Sequence, residues 1–97
     1  VDFPSVTSIA KSVFQNNYSL VRVILRSETI CTLANISTFS NCYHFHGTVN
    51  KTYNPEGLQD GYIYVPSALV GSYKTATNWV NYASQFRAIE DYPEICG

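Results

Sequence analysis

Methionine is absent from this 97-residue chain, charge is scarce, and no long apolar run occurs. Only 13% of the residues are charged, about half the usual share of roughly 25%. Six Lys plus Arg stand against seven Asp plus Glu, for a net charge of −1. That balance supplies no field to draw the chain to a phosphate backbone or an anionic membrane, so DNA is not an expected partner. No stretch approaches the roughly 20 apolar residues that a bilayer span needs, and no membrane span is expected. A Gly-rich phosphate loop, a nucleophile elbow, HExxH and CxxC are all missing, which removes the readily identified catalytic classes. No cofactor is expected. A start at Val1 without methionine, a basic n-region or an apolar h-region is what a processed mature chain would show.

What is present is neutral and polar. Ser, Thr and Asn fill 26 positions, while apolar residues make up 45%. Ninety-seven residues suit one domain, 1–97, with a single modest core. Asn17-Tyr18-Ser19, Asn35-Ile36-Ser37 and Asn50-Lys51-Thr52 are N-glycosylation sequons. With the three cysteines they suggest a secreted, extracellular glycoprotein with a disulfide bond. A cysteine one residue from the end suits a bridge that ties the tail to the core, so Cys96 is expected to bond, with Cys42 or Cys31 as partner. A Cys31–Cys42 bridge is the remaining pairing, and the odd cysteine would be a buried thiol or an intermolecular disulfide.

Val6, Ile9, Ala10, Val13 and Phe14 fall at helical spacing after Pro4, which predicts a helix ending at Asn16-Asn17, residues that tolerate left-handed backbone. Tyr18 to Arg26 reads as a strand with Arg22 and Arg26 on one side. Thr29 to Ile36 and Cys42 to Val49 read as the arms of a β-hairpin, followed by an exposed loop to about Asp60 and a strand from Gly61 to Val65. Pro66 to Thr77 shows no clear pattern. Trp79, Tyr82, Ala83, Phe86 and Ile89 predict a second helix from Asn78 to Glu90. Together these elements predict an α+β domain in which a largely antiparallel four-stranded sheet carries an N-terminal and a C-terminal helix on one face.

On a strand, Cys42, His44 and His46 would project from one face, a spacing compatible with Zn or Cu(I). No fourth ligand is spaced nearby, so no metal site is assigned. The same face could instead combine His44 and His46 with Arg22 and Arg26, and with Glu56, Glu90 or Glu94 as a base. That is the palette of a secreted ribonuclease-like hydrolase. Eight tyrosines set among Asn, Ser, Thr and Gly point elsewhere, because rigid aromatic area beside small polar groups is what recognition surfaces use. Tyr53, Tyr62, Tyr64 and Tyr73 are the expected binding residues. The functional expectation is a small secreted interaction protein of the effector, toxin-subunit or adhesin kind. It would bind a protein or carbohydrate partner, or form a homo-oligomer, and the hydrolase centred on His44 and His46 is the alternative.

Overall fold

In the computed structural model, which describes residues 1–10, 13–39, 42–45 and 60–96, short strands alternate with turns and brief helices. The strands are β1 (Asp2–Phe3), β2 (Ser8–Ile9), β3 (Arg22–Leu25), β4 (Thr32–Leu33), β5 (Tyr62–Val65) and β6 (Phe86–Ala88). Helix α1 spans Val70–Thr75 and α2 spans Pro93–Cys96, and 3-10 turns cover Ile36–Phe39, Ser67–Leu69, Trp79–Gln85 and Ile89–Asp91.

The main sheet has the order β1-β3-β5-β6 and is parallel throughout; β2 and β4 form a separate parallel pair. This corrects the expected antiparallel sheet. The physical reason lies in β3 and β5, each of which buries its last three residues in succession. A strand covered on both faces reads as a continuous apolar run, as Val23-Ile24-Leu25 does, rather than as an alternation. The chain between successive strands of the sheet, residues 4–21, 26–61 and 66–85, is also long enough for the crossovers that parallel pairing requires.

The strands add to the sheet in sequence order, so right-handed crossovers all return over the same face. That face carries the main core, in which Val23, Leu25, Ile63, Val65 and Phe86 meet Ile9, Phe14, Leu33, Phe39, Tyr73, Trp79 and Tyr82. The opposite face holds a smaller cluster of Ile24, Tyr64, Ile89 and Ile95, with Tyr62 and Tyr92 packed against it.

The first expected helix is replaced by β2 and a turn. The amides of Thr32 and Ala34 donate to the carbonyls of Thr7 and Ile9 at 2.9 Å each, and Val13, which the helical stripe required inside, is 50% exposed. Val6, Thr7, Ile9 and Val13 are β-branched and give helix little intrinsic support against that pairing. Asn16 does adopt the left-handed conformation, with φ 67°. The second expected helix becomes the 3-10 stretch Trp79–Gln85, broken at Tyr82 (φ −113°, ψ 21°), followed by β6. The hairpin is likewise corrected: Thr32–Leu33 pairs with β2, and residues 42–45 make a turn closed by Phe45 N–H donating to Cys42 O at 2.9 Å. The rest of the predicted strand from Cys42 to Val49, residues 46–49, and residues 50–59 of the loop after it lie outside the described residues.

No disulfide forms: Cys31 and Cys42 are buried thiols and Cys96 is an exposed one. Cys31 and Cys42 belong to the main core, whereas Cys96 follows Ile95, which packs on the other face of the sheet. The expected Cys42–Cys96 bridge would have to pass through the sheet. The tail is held without it, by burial of Ile95 and by an Arg26 guanidinium N–H donating to Ile95 O at 2.7 Å. The expectation of a secreted, disulfide-bonded glycoprotein of the effector or toxin-subunit kind leaned on the cysteines together with the sequons, and it loses the support of a bridge.

Candidate functional site

Because β3, β5 and β6 are parallel and in register, residues of like parity share a face. Arg22 lies beside Tyr62, and Ile24, Tyr64 and Arg87 form the next row. The arginines reach diagonally across β5. The Arg22 guanidinium stands 5.7 Å from the centre of the Tyr64 ring, and that of Arg87 stands 4.3 Å from the centre of Tyr62. The two rings meet edge to face at 6.3 Å, and Tyr92 meets Tyr64 in the same manner at 4.9 Å. Burial pushes the Tyr64 hydroxyl up from its ordinary pKa, partly offset by the nearby Arg22 charge. An Arg87 nitrogen donates to the carbonyls of Ser84 (3.0 Å) and Phe86 (2.7 Å), which fixes its direction. Among the described residues neither Arg22 nor Arg87 pairs with a carboxylate.

Arg26 is differently employed. It clamps Asp2 through two nitrogens at 2.8 and 2.9 Å, and this hydrogen bonding holds the Asp2 carboxyl below its usual range. It sits beyond the C-terminal end of β3, about 13 Å along the strand from Arg22 at about 3.3 Å per residue. His44 lies toward the N-terminal end of β5, where its carbonyl accepts from Gly61 N–H (3.0 Å) and from the Gln85 amide (2.9 Å). Its Nδ1 pairs with Asp60 Oδ1 at 2.6 Å. The hydrolase palette is therefore divided: Arg22, beside Tyr62, stands at His44's end of the sheet, Arg26 stands toward the other end, and His46 lies outside the described residues.

The Cys-x-His arrangement is also taken apart by the turn. The Cys42 thiol is buried and donates to Phe14 O at 2.9 Å, while His44 reaches Asp60. Among the described residues no group of three His, Cys, Asp or Glu side chains is placed to hold a metal.

Of the four tyrosines expected to bind, Tyr62 and Tyr64 lie on the arginine-bearing face, and Tyr53 lies outside the described residues. Tyr73 is fully buried, and its hydroxyl accepts the Cys31 N–H at 2.7 Å, so it offers no surface to a partner. Arg87 was missed. Placing residues 86–88 in a helix hid the parity that sets Arg87 beside Tyr64.

A second feature opens at the C-terminal ends of the strands, where parallel sheets commonly bind ligands. It is a cleft of about 280 Å³ lined by Arg26, Glu28, Pro66, Ile89, Glu90 and Cys96. Two of its charged groups are already engaged. Arg26 holds Asp2, and the Glu90 carboxylate accepts from Ser67 N–H (2.9 Å) and Oγ (3.1 Å), which lowers its pKa.

Compared with protein-family models, with curated proteins and with solved structures, the chain matches none.

Proposed function

We propose that this chain is a binding module that acts by contact with a protein or glycan partner through the face bearing Arg22, Tyr62, Tyr64 and Arg87, and not by catalysis. One observation carries this: two arginines on one sheet face are each set over a tyrosine ring while neither has a carboxylate partner among the described residues. Guanidinium groups held over aromatic rings lose little freedom on binding, and arginine and tyrosine are the residue types enriched where binding energy concentrates. Immobilised wild-type protein is expected to retain a partner that the Arg22→Gln, Arg87→Gln double variant releases, with circular dichroism unchanged between the two. Equal retention by both proteins refutes the assignment of this face.

The hydrolase alternative keeps one specific observation, the His44–Asp60 contact at 2.6 Å, because a carboxylate on Nδ1 orients an imidazole for proton transfer through Nε2. Against it, Arg26 is committed to Asp2. Turnover of RNA by the wild type that disappears in the His44→Ala, His46→Ala double variant would replace the binding-only reading.

A further inference from the structure

Resting on that binding face, we infer that its ligand is an acidic segment of a protein, whose carboxylates engage Arg22 and Arg87. Contrast within the molecule is the first support. Arg26 has its carboxylate, in bidentate geometry with Asp2, whereas Arg22 and Arg87 stand on the same side of the sheet without one among the described residues. Paired guanidinium and carboxylate groups are strong and directional, so a supplied carboxylate is the natural complement of each.

Spacing is the second. Arg22 on β3 and Arg87 on β6 flank β5 on one face of the sheet, so their backbones stand two strand spacings apart, about 9.6 Å. One acidic segment crossing β5 therefore meets both cations.

Occupancy of the rings is the third, and it separates a peptide from a sugar. A pyranose needs an open aromatic face. Here Arg87 covers Tyr62, while Tyr64 is only 6% exposed and holds Arg22 and Tyr92 against it. What the surface presents outward is the exposed Arg22 and the half-buried Arg87 and Tyr62. Glu94 is an acidic group near this face, close enough to act on the Tyr64 hydroxyl that Arg22 also reaches.

The test titrates the whole chain against a fluorescein-labelled peptide that alternates glutamate and threonine, read by anisotropy. Three comparisons accompany it: the same peptide with glutamine for glutamate, a sulfated heparin oligosaccharide, and an amide-shift map of the wild type. Binding of the glutamate peptide should weaken about tenfold in Arg22→Gln and again in Arg87→Gln, as expected for loss of a charge-assisted hydrogen bond. It should stay unchanged in Lys74→Gln, whose lysine is exposed on α1. Affinity should also fall between about 0.01 M and about 0.15 M salt, where the screening length drops from about 30 Å to about 8 Å. The map needs no variant and should show amide shifts at residues 22, 62, 64 and 87. Equal binding of the glutamine peptide, no binding of the glutamate peptide, equal weakening in Lys74→Gln, or amide shifts elsewhere each overturn the inference. Heparin shifting those amides while the glutamate peptide does not also overturns it, but leaves the binding face itself standing.

Discussion

Replacing Gly61 by alanine sets a methyl group against a ring that has nowhere to go. A Cβ at this position would stand 2.8 Å from Cε2 and Cζ of Phe45 and 3.0 Å from the carbonyl oxygen of His44. Carbon pairs prefer about 3.5–4.0 Å, so the ring would have to retreat by roughly 1 Å. Phe45 is fully buried and stacks on Phe39 at 5.1 Å, and Phe39 in turn meets Phe14, Trp79 and Tyr82. The His44 carbonyl is also fixed, since Gly61 N–H and the Gln85 amide both donate to it. Overpacking of this kind costs about 1–3 kcal/mol. Restricting the unfolded chain recovers about 0.4–1 kcal/mol, leaving a net loss. Each kcal/mol moves Tm by about 4–8 °C in a domain of this size, so Gly61→Ala should melt several degrees below the wild type. Gly71 is the internal control: it lies in α1, where an added methyl would meet nothing within 4 Å. There alanine should stabilise by about 0.5–1 kcal/mol. Adding Phe45→Leu to Gly61→Ala makes room for the methyl, so the double variant should lose less stability than the two single losses combined. Urea and thermal melts of these four variants decide it. A Gly61→Ala protein as stable as the wild type, or strict additivity with Phe45→Leu, refutes the packing described here.

Tyr73→Phe removes the acceptor of the Cys31 N–H in a buried position and should cost about 1–3 kcal/mol, with faster hydrogen exchange at the Cys31 amide; unchanged stability would count against that bond. Iodoacetamide should modify Cys96 alone in the native protein, because Cys31 and Cys42 are inside and burial pushes both thiols up to about 11; mass spectrometry showing all three modified without denaturant refutes this. The Asp2 carboxyl is depressed by its hydrogen bond from Arg26, so its contribution is present above the usual aspartate value of about 3.9 and is lost as pH falls through the lower folded value. Asp2→Asn should therefore lower the urea midpoint at neutral pH and have little effect in strong acid, and an equal effect at both would show that the ion pair is not responsible.

Legibility in the sequence followed the kind of information each pattern carries. Of the stripe Trp79, Tyr82, Ala83, Phe86 and Ile89, all but the half-buried Ala83 are buried, yet the stripe does not specify helix, because a 3-10 stretch, a strand and a further 3-10 turn bury the same four. Strand parity in β3 and β5 was readable: Arg22 and Ile24 share one side, and Tyr62 and Tyr64 do oppose Ile63 and Val65. Strand direction was not, because an apolar triplet such as Val23-Ile24-Leu25 fits either direction when only one strand is considered. The length of chain between strands was the neglected signal. A cysteine near the terminus misled for a related reason, since it stood for a need to hold the tail that Ile95 and Arg26 meet by other means.

The openness of the candidate face follows from the same topology that sequence patterns concealed. Had β3, β5 and β6 been joined by hairpins, the connections would have left both faces equally free for helices. Sequential parallel strands send their crossovers to one side, so the other side is left to the tail. On that side Tyr92 and Ile95 reach the row of Ile24 and Tyr64, which are buried, and among the described residues the row of Arg22 and Tyr62 beyond it is not covered. Lysine could not hold the place of Arg87, because a flexible ammonium lacks the planar surface that rests on the Tyr62 ring while still presenting donors outward. An Arg87→Lys variant should therefore keep its charge and still weaken the acidic peptide, and full retention of binding would show that charge alone, without the stacked geometry, makes the site.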